Sequence, residues 1–166
     1  MKVPLLDLKP QLAQIRDEII SGVTEVIDST RYIQGPEVDA LEKEVADYCG
    51  TDYAIGVSSG TDALLVTLMS LGIGRGDKVL IPPFSFFATM GVVLRVGAVP
   101  VFADIDPVSF NIDPDSVEEI LANDSDRSIK AIMPVHLYGQ CADMQKLSSL
   151  ADKYGVFLVE DAAQAI

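Results

Sequence analysis

The sequence predicts an α/β fold with a mainly parallel sheet and helices on both of its faces. From residue 53 onward, short apolar runs alternate with helical segments, which is the pattern of parallel strands joined by crossover helices. The runs are continuously apolar, as is typical of strands buried on both faces. With 166 residues, 49% of them hydrophobic, the chain can form one sizeable core.

Five apolar runs are predicted strands, and four segments between them are predicted helices. The strands are Tyr53–Val57, Lys78–Ile81, Val99–Ala103, Ile129–Val135 and Val156–Val159. The helices are Thr61–Leu71, Phe87–Val96, Pro114–Leu121 and Met144–Tyr154.

Two amphipathic helices are predicted before the sheet, because apolar residues recur there every three or four positions. They cover Pro10–Ile27 and Pro36–Cys49, and Gly50 can end the second. We therefore predict a helical segment over residues 1–50 and a sheet-containing domain over residues 51–166.

Charge and cysteine content exclude several classes of protein. The chain has 12 Lys and Arg against 25 Asp and Glu, a net charge of -13, which disfavours nucleic acid and anionic lipid as partners. No apolar run approaches the ~20 residues of a membrane span, and the N-terminus lacks a signal-peptide core. Cys49 and Cys141 form no metal or disulfide motif. We expect a cytoplasmic protein with no metal site.

The predicted strand ends carry residues suited to ligand binding, and ligands of open α/β sheets bind at the carboxyl ends of the strands. One strand is followed by Ser58-Ser59-Gly60-Thr61, where free helix amides and the helix dipole favour a phosphate. Taken alone, the same residues more commonly form an ordinary helix N-cap.

Aromatic residues and a single histidine follow two other strands. Phe84, Phe86 and Phe87 lie in a loop after two prolines, where an outward-facing ring could stack on a planar ligand, although each could also belong to the core. His136 could act directly or serve as a hydrogen-bonded structural residue.

Asp161 directly follows the buried run Val156–Val159, so its carboxylate is predicted to lie at the edge of a low-dielectric interior. A buried carboxylate needs a cationic or hydrogen-bonding partner. A protonated pyridine would meet that need. A helix N-cap or a partner from elsewhere in the fold would also do so.

Taken together and in order, five segments resemble nucleotide-sugar aminotransferases of the DegT type, which are fold-type I enzymes dependent on pyridoxal 5'-phosphate (PLP). The resemblance extends over the chain from Pro4 and would make residues 51–166 the N-terminal part of the PLP-binding large domain. The segments are Tyr32–Val38, Val57–Leu64, Pro83–Thr89, Pro134–Gly139 and Glu160–Ala165.

The resemblance implies a role for each candidate residue. Gly60 and Thr61 would hold the PLP phosphate, and Phe86 would stack on the pyridine ring. Asp161 would be catalytic, because it would pair with the protonated ring nitrogen and keep the ring an electron sink. Gln164 would reach the ring face or the 3-hydroxyl region.

The resemblance also implies a reaction and its partners. An amino group would pass from an amino acid, typically glutamate, to a nucleotide-linked keto sugar, in cell-surface polysaccharide or amino-sugar biosynthesis. The enzyme would be a homodimer with active sites at the subunit interface, to which the loop Arg31–Gly35 could contribute.

The family's Schiff-base lysine lies in a Ser-x-x-x-Lys motif downstream of the aspartate, beyond Ile166. We therefore expect an incomplete sheet in a piece of a longer protein, inactive by itself. Three alternatives stay open. They are a sugar dehydratase of the same family, a non-catalytic PLP- or nucleotide-binding remnant or assembly module, and, more remotely, a dehydrogenase, whose glycine fingerprint is missing.

Overall fold

The computed structural model describes residues 3–4 and 6–166. They divide into two compact units, Met1–Gly56 and Val57–Ile166.

The first unit contains two helices, α1 (Lys9–Ser29) and α2 (Pro36–Cys49), where the sequence predicted them. Gly50 ends α2 in the left-handed conformation, with φ of 66°, and its N–H donates to the carbonyl of Ala46. The apolar face of α1 is exposed, and no residue of this helix is buried. Among the described residues, no helix is both long and apolar enough to cross a membrane.

The predicted strand over residues 53–57 was wrong, because this segment forms no regular secondary structure. Tyr53, Ile55 and Val57 are all exposed. An apolar run forms a strand only where a neighbouring strand takes up its backbone hydrogen bonds, and strand-forming residues alone do not provide that neighbour.

The second unit contains all the strands found in the described residues, and they alternate with helices. In chain order the elements are α3 (Gly60–Ser70), β1 (Lys78–Ile81), α4 (Phe87–Arg95), β2 (Val99–Phe102), α5 (Pro114–Asn123), β3 (Ile129–Ile132), α6 (Met144–Tyr154) and β4 (Phe157–Leu158). The strands form one sheet in the order β2-β1-β3-β4, and every neighbouring pair is parallel.

Helices cover both faces of this sheet, which confirms the predicted fold class. On one face, Val79 and Ile81 of β1 pack in a core with residues of α3 and α4. On the other face, Leu80 packs with residues of α5 and α6. Alternate side chains of one strand therefore enter two separate cores, which explains why its three buried residues, Val79, Leu80 and Ile81, are all apolar.

The strand order creates a switch point beside the central strand. The chain moves from β1 outward to β2 and then crosses back to place β3 on the other side of β1. The loops after β1 and β3 therefore diverge at the carboxyl edge, which is where doubly wound sheets bind ligands. Past the ends of β3 and β4, Val135 and Asp161 form a further parallel bridge that brings Asp161 to this edge.

Truncation of Leu80 tests the two-sided core. This side chain is fully buried on the central strand, so Leu80→Ala should lower the free energy of unfolding by about 2–5 kcal/mol. Leu41→Ala on α2 is the matched control, because Leu41 is exposed and its truncation should cost less than about 1 kcal/mol. Urea unfolding of the full protein measures both, and equal losses would contradict this account of the core.

Candidate functional site

A cavity of about 350 Å³ lies at the carboxyl edge of the sheet. Four segments line it: the start of α3 and the segments that follow β1, β3 and β4. The five residues singled out from the sequence, Gly60, Thr61, Phe86, Asp161 and Gln164, all border this one cavity.

The Asp161 carboxylate is buried in the wall of the cavity, with the residue only 5% exposed. Its Oδ2 accepts a hydrogen bond from the Thr89 hydroxyl at 2.8 Å, and its Oδ1 accepts one from the Ala163 N–H at 3.3 Å. The Asp161 N–H donates to the Pro134 carbonyl at 2.9 Å, and its carbonyl accepts from the His136 N–H at 3.0 Å. Backbone and side chain are therefore both fixed.

The partners of Asp161 are neutral. Of the alternatives open at the level of sequence, the structure shows a hydrogen-bond partner from elsewhere in the fold, Thr89, which is 72 residues away along the chain. Within residues 57–166, no Lys, Arg or His side chain forms an ion pair with Asp161. The negative charge of an ionised Asp161 is thus hydrogen-bonded and has no opposite charge beside it.

The start of α3 combines a helix cap with free backbone donors. Ser59 is the N-cap, and its Oγ accepts from the Asp62 N–H at 3.1 Å. Within residues 57–166, the N–H groups of Gly60 and Thr61 have no hydrogen-bond acceptor. The cap and the phosphate site were alternative interpretations of the sequence, but a single helix start can serve as both.

Asp62, in the first turn of α3, is held in its ionised form. The Ser58 hydroxyl donates to its carboxylate, and this bond is the main cause that lowers the pKa of Asp62 below its ordinary value. Arg95 contributes in the same direction as a nearby positive charge. An anion at the start of α3 would therefore be bound by the N–H groups of Gly60 and Thr61, although the negatively charged Asp62 lies in the same helical turn.

Gly60 has no side chain at a point where the start of α3 lies close to the segment that follows β4. A Cβ added at this position would lie 3.8 Å from the Cβ of Ala163. That separation is an ordinary van der Waals contact, so an alanine would fit, whereas a branched side chain would extend further into the space between the segments.

The three phenylalanines that follow β1 along the sequence have different surroundings. Phe84 packs against Phe110, with ring centroids 6.0 Å apart. Phe87 is exposed and borders a neighbouring apolar cleft of about 450 Å³. Phe86 is the N-cap residue of α4, is 75% exposed and borders the cavity, so its ring is accessible to a ligand.

Gln164 is fixed by a strained turn that the sequence did not reveal. Its Oε1 accepts from the Tyr138 N–H at 2.6 Å. Tyr138 has φ of 55° and ψ of 24°, a left-handed conformation that is unfavourable for a tyrosine and needs compensating contacts. With Oε1 engaged in this way, the side-chain NH₂ of Gln164 remains as a donor group at the cavity.

His136 is a structural residue, with both ring nitrogens bonded to protein groups and only 3% exposure. Its Nδ1 accepts from the Ala142 N–H at 3.2 Å, which places the ring proton on Nε2, 2.7 Å from Glu160 Oε2. No nitrogen is left for a ligand. Among the described residues, no group of three or more His, Cys, Asp or Glu side chains could hold a metal ion.

Residues 13–166 match the DegT/DnrJ/EryC1/StrS aminotransferase family, and the chain belongs to that family. The expected resemblance to DegT-type aminotransferases is thereby confirmed.

Curated relatives match along nearly the whole chain. A pleiotropic regulatory protein of Geobacillus stearothermophilus is 47% identical over 100% of the chain, which spans 44% of the relative. The UDP-2-acetamido-2-deoxy-3-oxo-D-glucuronate aminotransferase of Pseudomonas aeruginosa is 45% identical over 98% of the chain and 44% of its own length. The chain thus spans less than half the length of these relatives.

Solved structures show the same fold. The Streptomyces venezuelae protein DesV, in complex with a ketimine intermediate, matches with a TM-score of 0.93 and 44% identity over 99% of this chain and 43% of its own. NtdA of Bacillus subtilis, with bound cofactor PMP, matches with a TM-score of 0.91 and 40% identity over 99% of this chain and 37% of its own.

The structural role of His136 can be tested with His136→Phe. This change keeps a ring but leaves the Ala142 N–H and the Glu160 carboxylate without their partner, so we expect a loss of about 1–3 kcal/mol in the free energy of unfolding. Glu160→Gln is the control, since its amide oxygen can still accept from Nε2–H. Urea unfolding measures both. Unchanged stability of His136→Phe, together with lost ligand binding, would show a direct role.

Proposed function

We propose that this chain forms the cofactor-binding part of a PLP-dependent aminotransferase that transfers an amino group from an amino acid, glutamate in particular, to a nucleotide-linked keto sugar. The observation that carries this proposal is a buried carboxylate and two free helix amides on one cavity. We place the enzyme in the cytoplasm, where free thiols such as Cys49 and Cys141 stay reduced.

The cavity suits PLP in size and in the distribution of charge. A volume of about 350 Å³ is within the range of small-molecule sites. PLP carries a phosphate, a flat ring and a basic ring nitrogen. The free amides of α3 suit the phosphate, the accessible ring of Phe86 suits the flat ring, and Asp161 suits a protonated nitrogen.

When bound, PLP supplies an electron sink for the electron pair released as the Cα–H bond of the amino acid breaks. In our proposal, Asp161 holds a proton on the ring nitrogen, since a carboxylate in a site of low dielectric favours the protonated base. The Thr61 hydroxyl joins the amides of Gly60 and Thr61 at the phosphate. The Gln164 side chain, which borders the cavity, would reach the ring face or the 3-hydroxyl region.

The sugar substrate is proposed from relatives. The Pseudomonas aeruginosa relative is named for a UDP-linked 3-oxo sugar, and a Streptomyces venezuelae relative is a dTDP-3-amino-3,4,6-trideoxy-alpha-D-glucose transaminase with 44% identity over 99% of this chain. Both names describe a sugar carried on a nucleotide. We propose the same class of substrate for the whole protein to which this chain contributes.

We further propose that the enzyme is a homodimer. Phe86, Phe87 and Leu94 are exposed around the apolar cleft beside the cavity, and clustered apolar side chains of this kind are usually covered by a partner. We also propose that the lysine that reacts with PLP lies outside residues 1–166, because the cavity's lining residues include none.

Asp161→Asn in the full enzyme tests the assignment of the cofactor. Asparagine keeps the acceptor for Thr89 but loses the charge that holds the proton on the ring nitrogen, so kcat should fall about 100-fold or more. Asp152→Asn, on the exposed side of α6, is the matched control and should leave kcat unchanged. Near-normal turnover of Asp161→Asn would make this carboxylate structural and would defeat the proposal.

A series at Gly60 tests the phosphate site. Gly60→Ala should have little effect on PLP affinity because its Cβ fits beside Ala163. Gly60→Val should raise the dissociation constant of PLP about tenfold or more with the fold intact, since hydrogen bonds to a charged group contribute about 1.5–3 kcal/mol. Gly22→Val, in open space on α1, is the control. Equal PLP affinity across the series would contradict the assignment.

A further inference from the structure

We propose that Thr89 is a positioning residue for Asp161, and that Ser85, Thr89 and Asp161 form a directed chain of hydrogen bonds that holds the carboxylate in place for the ring nitrogen. This inference rests on the proposed function. It adds two residues to the site, neither of which was identified from the sequence.

Two hydrogen bonds of ordinary length define the geometry of this hydrogen-bond chain. Thr89 Oγ1 lies 2.8 Å from Asp161 Oδ2, and Ser85 Oγ lies 2.7 Å from Thr89 Oγ1. Thr89 is only 1% exposed and does not border the cavity, whereas Ser85 and Asp161 do. Thr89 can therefore influence a ligand there only through another residue.

The direction of donation along these hydrogen bonds follows from counting hydroxyl protons. A threonine hydroxyl has one proton, and at Thr89 this proton is donated to Asp161. The bond between Ser85 and Thr89 must then use the Ser85 proton. The order of donation is therefore from Ser85 to Thr89 to Asp161, and the last bond is strengthened by the charge of its acceptor.

The carboxylate is held from two sides. Thr89 binds Oδ2 and the Ala163 N–H binds Oδ1, so rotation of the carboxylate plane would break at least one of these bonds. Each oxygen keeps a further lone pair for a ligand. The hydroxyl of Thr89 thus fixes the orientation in which Asp161 meets a ligand in the cavity.

Comparison with other helical threonines shows that this bond is not the usual one. Thr24 and Thr67 each donate to the backbone carbonyl four residues earlier, Ile20 and Ala63 respectively, a common pattern in helices. Thr89 donates to a side chain on another element. Since valine would fill the same volume without burying a polar group, the hydroxyl needs a reason other than packing.

The experiment uses the full-length protein with PLP labelled with ¹⁵N in the ring. Thr89→Val removes the hydroxyl and keeps the shape. We expect the ring-nitrogen chemical shift to move toward that of an unprotonated pyridine and kcat to fall about tenfold, while PLP stays bound. Thr89→Ser should restore both quantities to near wild type. Thr67→Val is the matched control and should change neither.

Two outcomes would overturn the inference. One is a wild-type ring-nitrogen signal in Thr89→Val, and the other is a fall in kcat without any change in that signal, which would locate the effect elsewhere. If Thr89→Val does not fold, Ser85→Ala removes the upstream donor at a half-buried position and should move the signal in the same direction. An unchanged signal in Ser85→Ala would then overturn the inference.

Asp161→Asn separates this inference from the proposed function. If Asp161→Asn leaves the ring nitrogen as in wild type, Asp161 does not act on it and the proposed function fails. If Asp161→Asn moves the signal and Thr89→Val does not, the proposed function stands and only the role of Thr89 is wrong.

Discussion

The structure of the site depends on burying one carboxylate, Asp161, at the edge of the sheet. Removing a carboxylate from water is costly unless hydrogen bonds replace the lost solvation. Thr89 of α4 and the Ala163 N–H supply two such bonds to the carboxylate. Backbone pairing with Pro134 and His136 holds the residue beside the segment that follows β3. The segments that carry these residues are thereby fixed relative to one another around the cavity.

Contacts made by His136 and Tyr138, two residues that do not border the cavity, reinforce that arrangement. His136 binds Glu160 through its ring and Asp161 through its N–H, so one residue after β3 holds two consecutive residues after β4. On the other side of Asp161, the strained Tyr138 turn binds Gln164. The residues facing the cavity are therefore supported by hydrogen bonds from residues outside it, which is how precise binding sites are usually built.

Local sequence patterns were sufficient to predict most of the helices and strands. The features that they did not predict depend on pairing between residues far apart in the sequence. The bounds of α2 and α6 follow from helical periodicity, a proline or N-cap at the start and a glycine after the end. The prediction of a strand over residues 53–57 was wrong, because the composition of a segment does not show whether a neighbouring strand will pair with it. Burial of Asp161 could be inferred from the apolar run before it, but its bond to Thr89 joins residues 72 apart, and no local signal encodes such a contact.

The charge distribution shows how an acidic chain could hold an anionic cofactor. Its net charge is -13, and Asp62 is ionised at the very helix start proposed for the phosphate. Side-chain cations are not required there, because the unpaired N–H groups of Gly60 and Thr61 and the helix dipole provide fixed partial positive charge. Under the proposed function, the buried carboxylate of Asp161 lies at the other end of the cofactor, where it would accept a hydrogen bond from a cationic nitrogen. Neutral donors for the phosphate and a charged acceptor for the ring would therefore orient PLP in one direction within the cavity.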